Sequence, residues 1–364
     1  MKKISEHIIR FLFSLFDRFF SKKFIVFSCR AAKGYSDNAK ILYEKFLSEG
    51  ESDIFFYTKK RSVLESIPKN SIYAYSLKGV YVLLRTRILI FTHGAADFQP
   101  YFPTKNGGRI FINLFHAIAV KKLATQISKK RQYYINLWDY FLVSSDFESQ
   151  FIKKQFGLDQ DQILVFGQPR NDTIIQNLSK SNDSDKQLAL YAPTFRDNSL
   201  VELFPFEDVN LIKLDEFLEE KNLQIMIRLH INDELKYKSK FKYINLKNIF
   251  FTGSDKISSI NDFLHNVNFL ITDYSSISID FLLLDRPIAY IPYDFDNYEK
   301  ERGFSFDFLK HTAGPILDSQ ESLKSFLLNE EYDYSSKRRE LKDLFHENQD
   351  GKSSEKLYQF IKQL

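Results

Sequence analysis

The sequence predicts an α/β protein built from two parallel-sheet domains, and three observations carry that expectation. Short apolar runs of strand character alternate with helical runs along nearly the whole chain. A length of 364 residues exceeds one ordinary core and suits two. The alternation is broken in mid-chain by residues 179–186, SKSNDSDK, whose polarity reads as an inter-domain linker.

Taken in order, FIVFS (24–28) is followed by helical NAKILYEKFLSE (38–49), then by DIFFYT (53–58), RILIFT (87–92), RIFINLF (109–115), DYFLVSS (139–145) and QILVFG (162–167). The pattern restarts with QLALYAPT (187–194), LQIMIRLH (223–230), NIFFTG (248–253), VNFLITD (267–273) and RPIAYIP (286–292), and ends in about forty helical, charged residues. The expected divisions are an N-terminal helix at 1–22, domains at 23–180 and 187–345, and a C-terminal helix at 346–364.

Hydrophobic residues are 44% and charged residues 27%, a globular composition. Cys29 is the one cysteine, so no internal disulfide can form and a reducing compartment is expected. No apolar run reaches a membrane-spanning length of about 18 residues, and Arg10, Asp17 and Arg18 interrupt any secretory-signal pattern.

The formal net charge of +4 sits in residues 1–23, where Lys2, Lys3, Arg10, Arg18, Lys22 and Lys23 face Glu6 and Asp17. The remainder is neutral, which excludes a basic nucleic-acid-binding body. Polar residues in the first 22 recur at helical spacing, opposite Ile8, Phe11, Leu12, Leu15, Phe16, Phe19 and Phe20. A basic helix with an aromatic face lies flat on an anionic membrane; the competing expectation is a helix packed on the protein's own core.

Ligands of open parallel sheets bind beyond the carboxyl ends of the strands, and several ends here are polar. After VNFLI comes Thr272-Asp273-Tyr274-Ser275-Ser276, then a helix expected over 275–284. Asp273 or Ser275 would cap that helix, whose N-terminus, with the Ser275 and Ser276 hydroxyls, suits a phosphate. Arg228 and His230 end another run, Thr194 and Arg196 follow Pro193, and Arg302-Gly303 lies beyond the strand at 286–292. In the first half, RIFINLF leads into His116 with Lys121 and Lys122 following, while His93-Gly94 ends another strand. Either histidine is a candidate general base. The sequence reads as lacking a Walker loop, HExxH, CxxC or DxD-type paired carboxylate, so neither a metal nor a cofactor is expected.

TDYSS and ERGF (272–276, 301–304), YAPTFR (191–196), RLH (228–230) and GQPRND (167–172) resemble, in order, the characteristic stretches of the CDP-glycerol glycerophosphotransferases. GYSDNAKILYEKF (34–46) is similar to that family's first strand-loop-helix. NLFHAIAVKKL (113–123) stands where the family carries Trp-His-Gly-Thr-Pro-Leu-Lys, with His116 and Lys121 in register and Phe115, Ala117, Ile118 and Ala119 replacing Trp, Gly, Thr and Pro. The likeness spans roughly residues 23–350.

The resemblance implies a GT-B fold, two facing Rossmann-like domains with a cleft between them and the C-terminal helix crossing back. It implies transfer of glycerol phosphate, or another alditol phosphate such as ribitol phosphate, from the CDP ester to a hydroxyl of a lipid-linked saccharide or glycan, releasing CMP in teichoic acid or capsule synthesis. His116 would take the hydroxyl proton. His230, Arg228, Arg302, Ser275 and Ser276 would stabilise the diphosphate, with Asp273 at that helix start. Thr194, Arg196 and Lys121 would line the cleft, and Arg170 would support it. The expected location is peripheral, on the cytoplasmic face of the plasma membrane. A nucleotide-sugar glycosyltransferase is the alternative enzyme, and an inactive membrane scaffold is the alternative from another class. A single two-domain module favours priming over long polymerisation.

Overall fold

The computed structural model describes residues 2–98, 101, 105, 108–123, 129–178, 185–196, 199–230, 233–234, 237, 246–253, 255–257, 259–329 and 333–364. The chain forms two compact units, Met1–Ala117 with Gln126–Asp172 and Asn348–Leu364, and Ile118–Thr125 with Thr173–Glu347.

The first unit carries β1 (Phe24–Phe27), β2 (Ile54–Thr58), β3 (Ser71–Tyr73), β4 (Thr86–Phe91), β5 (Ile110–Asn113), β6 (Tyr140–Val143) and β7 (Ile163–Val165). They pair in the order β3-β2-β1-β4-β5-β6-β7, every pairing parallel. β1, β2, β4 and β5 are nearly all apolar because both faces of a parallel sheet are covered. Phe27, Tyr43, Phe46, Phe56, Ile90, Ile112 and Leu142 make the core of one face.

The second unit carries β8 (Gln187–Ala192), β9 (Leu223–Ile227), β10 (Ile249–Phe251), β11 (Phe269–Thr272) and β12 (Ile288–Tyr290). Their order is β10-β9-β8-β11-β12, again all parallel. Tyr191, Ile225, Ile227, Ile271 and Ala289 pack there with Leu214, Leu218 and Phe326.

Each strand expected from the sequence is present, ten of the eleven shortened by one to four residues and β4 shifted to begin one residue earlier, at Thr86. The three-residue edge strand β3 was not expected, since three residues are too few to show alternation. The units part between Asp172 and Thr173 rather than at 179–186; positions 179–184 of that stretch lie outside the described residues. The helix Ser353–Gln363 belongs to the first unit, burying Leu357, Tyr358 and Ile361 in its core. Asp172 starts that helix by accepting the backbone N–H groups of Ser353 and Ser354 at 3.0 and 2.8 Å.

The N-terminal helix runs Lys2–Asp17, shorter than the expected 1–22, and its orientation corrects the sequence reading. Asp17, placed by spacing on the solvated face, is buried in ion pairs with Arg109 and Lys22. The Arg109 guanidinium also donates to the carbonyls of Thr86, Leu83 and Leu84. A paired carboxylate there neutralises a cation whose burial would otherwise cost several kcal/mol. Phe13, one turn before Asp17, is buried too, its ring 6.0 Å from that of Tyr101. The opposite, apolar side is thereby turned outward: Phe11, Phe16 and Phe19 are 68%, 53% and 74% exposed.

Candidate active site

In the first unit the strand order reverses between β1 and β4, and the crevice of a doubly wound sheet opens at such a reversal. The loops that leave β1, β4 and β5 there carry the polar residues. After β1, Arg30, Ala31 and Ala32 all take left-handed backbone conformations, with φ of 49°, 55° and 59°, each costing on the order of 1–2 kcal/mol. Arg30 Nε donates to Asp37 Oδ2 at 3.1 Å. Burial works against the Asp37 carboxylate, but the charges of Arg30 and Arg170 outweigh it and hold its pKa below the usual value.

His116 follows β5. Its Nδ1 lies 3.3 Å from the carbonyl oxygen of Thr92, at the end of β4. A carbonyl only accepts, so the contact assigns the proton to Nδ1 and leaves Nε2 with a free lone pair. Phe115, just before, sits at φ 50°; the left-handed residue of this segment is Phe115, not Ala117. Its carbonyl and that of Leu114 accept from Asn38 Nδ2 at 3.2 and 2.9 Å. Arg170 Nη1 donates to the His116 carbonyl at 2.6 Å, and Arg170 N donates to Asn38 Oδ1. Backbone contacts from two other segments thus fix His116. Burial lowers its pKa, with Arg170 and Arg30 adding to the effect against Thr92 and Asp37. His93 stacks on it, ring centroids 4.1 Å apart and planes within 12°.

In the second unit the order reverses between β8 and β11, and the segments after these strands are cross-linked. Asp273 Oδ1 accepts the N–H of Thr194 at 2.8 Å and of Tyr274 at 2.6 Å, and Oδ2 pairs with Arg196 at 2.9 Å. Arg196 is also held by Asp294 through Nε and Nη2, at 2.7 and 2.8 Å. Its guanidinium carbon lies 4.8, 5.1 and 5.4 Å from the ring centroids of Tyr298, Tyr274 and Tyr293.

Two expectations change here. Arg196 and Asp273 are almost wholly buried and ion-paired with one another, so they brace the strand ends instead of presenting charge to a ligand. Asp273 also does not cap the following helix, because its oxygens are taken by Thr194, Tyr274 and Arg196. That helix is Ile277–Phe281, continuing as a tight turn over Leu282–Leu284; Ser275 Oγ meets the N–H of Ile277 only at 3.5 Å. Ser276 makes no capping bond.

Thr194 Oγ1 is buried and has no hydrogen-bond partner among the described residues. Arg228 donates to the carbonyls of Thr252 and Ile257 at 3.2 and 2.8 Å, propping the loop after β10. His230, beyond β9, is exposed, with its ring 5.2 Å from that of Phe195. Lys121 belongs to this unit rather than to the first: it bridges to Phe304, its Nζ lies 5.7 Å from the Tyr298 ring centroid, and Lys122 N donates to the Gly303 carbonyl. Arg302, beside Gly303, is exposed.

The structure therefore gathers His116, His93 and Arg170 at the edge of one sheet. At the edge of the other it gathers Thr194, Arg196, Arg228, His230, Asp273, Ser275, Ser276, Arg302 and Lys121. Sequence reasoning missed Arg30, Asp37, Asn38 and Thr92, although Asp37-Asn38 at the start of helix Asp37–Ser48 was a legible signal. It also missed Asp294, whose spacing to Asp296 makes a D-x-D pair; Asp294 is committed to Arg196 and to the Tyr274 hydroxyl at 3.0 Å.

A family model described as CDP-glycerol:poly(glycerophosphate) glycerophosphotransferase matches residues 9–363. The chain is 25% identical over 407 residues to a teichoic acid glycerol-phosphate transferase of Staphylococcus aureus, covering 99% of this chain and 98% of that protein. It is 27% identical over 349 residues to a teichoic acid ribitol-phosphate primase of Bacillus spizizenii, covering 90% and 87%. The solved structure of the wall teichoic acid polymerase TagF superposes with a TM-score of 0.81 at 23% identity, covering 100% of this chain and 95% of that one. That likeness supports a fold of the GT-B type.

Proposed function

The chain belongs to the CDP-glycerol:poly(glycerophosphate) glycerophosphotransferase family, and from that premise we propose a division of labour between its two sheet edges. The protein is a transferase of teichoic acid synthesis that moves glycerol phosphate from CDP-glycerol. The acceptor is a hydroxyl of a lipid-linked or glycan substrate. The observation that carries this reading is the gathering of polar side chains at both strand-order reversals, with a free Nε2 on His116 at one and an unpartnered Thr194 hydroxyl at the other.

In the proposed reaction the acceptor oxygen attacks the glycerol-side phosphorus. His116 Nε2 takes its proton, the bond from that phosphorus to the bridging oxygen breaks, and CMP leaves with the electron pair. Phosphoryl transfer asks the protein mainly for alignment and charge stabilisation. His230, Arg302, the Ser275 and Ser276 hydroxyls and Thr194 Oγ1 supply donors for the diphosphate. Arg228 contributes charge at the end of β9 while bracing the loop beneath, and Lys121 adds a cation beside Tyr298. Arg170 acts through His116.

Incubating the enzyme with a lipid-linked glycan acceptor and CDP-glycerol in excess chelator tests this directly. Mass spectrometry should show the acceptor heavier by one glycerol phosphate, with CMP released. Nucleotide release from sugar nucleotides alone would reverse the reading, and a strict need for added magnesium would overturn metal independence. CDP-ribitol in parallel decides between the two alditols.

The N-terminal helix fits a peripheral place on an anionic leaflet, and no helix among the described residues is long and apolar enough to cross a membrane. Phe11, Leu12, Leu15, Phe16 and Phe19 face outward. Tyr81 lies alongside, its ring 6.3 Å from that of Phe20, and Leu77 is 92% exposed on the same helix, Leu77–Leu84. Lys22 is withdrawn into its pair with Asp17 and Lys23 pairs with Asp53 at 2.8 Å; each other basic residue of the segment would contribute about 1 kcal/mol near such a surface, less in salt. Phe11→Asp with Phe19→Asp should release the folded protein from phosphatidylglycerol vesicles. Unchanged, salt-insensitive binding would contradict the assignment.

A further inference from the structure

We propose that His93 is a positioning residue that clamps the imidazole of His116 and keeps water from one face of its ring. This inference rests on the reading of His116 as the base. Three contacts converge on Thr92. Its carbonyl takes His116 Nδ1 at 3.3 Å, its hydroxyl lies 2.8 Å from His93 Nδ1, and that hydroxyl also accepts the N–H of Arg30 at 3.4 Å. One residue at the end of β4 therefore anchors both rings. With centroids 4.1 Å apart and planes 12° from parallel, His93 covers one face of the His116 ring. The Phe115 ring, 4.4 Å away and tilted by 49°, limits its rotation on another side.

The loop beneath His93 is itself tied down. Asp97 Oδ2 accepts the N–H of Thr92 at 3.3 Å and of His93 at 3.5 Å. The Asp97 carboxyl is pushed up to about 6 by burial, against those hydrogen bonds and the charge of Lys59. The groups facing His116 are Arg30 from the loop after β1, Asp37 from the following helix, Arg170 from helix Pro169–Gln176 and His93 itself. His93 keeps an exposed edge, yet desolvation of the rest of its ring and the charge His116 would carry both lower its pKa. A neutral His93 adds no charge to the site; it acts by excluding water from one face of its neighbour. Excluding water disfavours imidazolium, so His116 stays a competent base to a lower pH than a free histidine near 6.5.

The test compares His93→Phe, which keeps a ring, with His93→Asn, which keeps a polar partner for Thr92 but no ring. The readouts are the pH profile of kcat/KM with CDP-glycerol and the NMR titration of His116 in uniformly folded protein, its signal assigned through His116→Gln. In His93→Asn the acid limb and the His116 titration should both move up toward 6.5. At a fixed pH well down that limb, kcat/KM falls about tenfold for each pH unit the limb moves. In His93→Phe both should stay near their original positions. Unmoved titration of His116 in His93→Asn, or an equal shift in both variants, overturns the clamp. If His116→Ala still turns over while His93→Asn is inactive at every pH, the base reading falls instead, and His93 is the base.

Discussion

His116→Ala is expected to lower turnover by about 10²–10⁴-fold while the protein stays folded, the range for removing a positioned general base. That is about 3–5 kcal/mol of barrier. The ring contributes little to the core: it packs on His93 and Phe115, and the bonds that shape its loop run through backbone. The Asn38 amide holds the carbonyls of Leu114 and Phe115, and Arg170 holds that of His116 itself. Alanine keeps all of them, so circular dichroism and the melting curve should barely change. A quantitative rate assay of CMP release, read beside the melting curve, separates lost chemistry from lost fold. Near-normal turnover would remove His116 from the mechanism.

Arg196→Met is expected to cost about 3–5 kcal/mol of stability, the scale for removing one partner of a buried ion pair. The guanidinium lies between Asp273 and Asp294 and among three tyrosine rings. Without it two carboxylates share a site from which water is largely excluded. The loss should appear as a lower midpoint in urea unfolding with little change in slope. Arg302→Ala makes the contrast, because Arg302 is exposed. Its stability should stay within about 0.5 kcal/mol, while the KM for CDP-glycerol rises. Should Arg196→Met keep full stability and lose only donor affinity, Arg196 would be a ligand group and not a brace.

Much of this architecture could be read from residues alone, because apolar runs such as FLIT and ILIF are diagnostic of buried parallel strands. The polar residues that end them could be read for the same reason, since nothing in a core explains Ser275-Ser276 or His116. What could not be read is which of these polar groups are satisfied by one another. Arg196 and Asp273 look alike in sequence to Arg302 and Ser276. The partner that decides the matter, Asp294, lies 98 positions from Arg196. Asp17 misled for a related reason: helical spacing placed it on a solvated face, but Arg109, which buries it, lies 92 positions away. The stack of His93 on His116 was likewise out of reach, for it depends on β4 and β5 being neighbours in the sheet.

The account's central claim is that one sheet edge carries the base and the other holds the donor. Calorimetric titration of CDP-glycerol into the parent enzyme, His116→Ala and His230→Ala tests it most directly. The account predicts that His116→Ala binds the donor as the parent does, within about twofold, while His230→Ala binds it at least about tenfold more weakly, the scale of one charge-assisted contact. Loss of donor binding in His116→Ala with full binding in His230→Ala would contradict it.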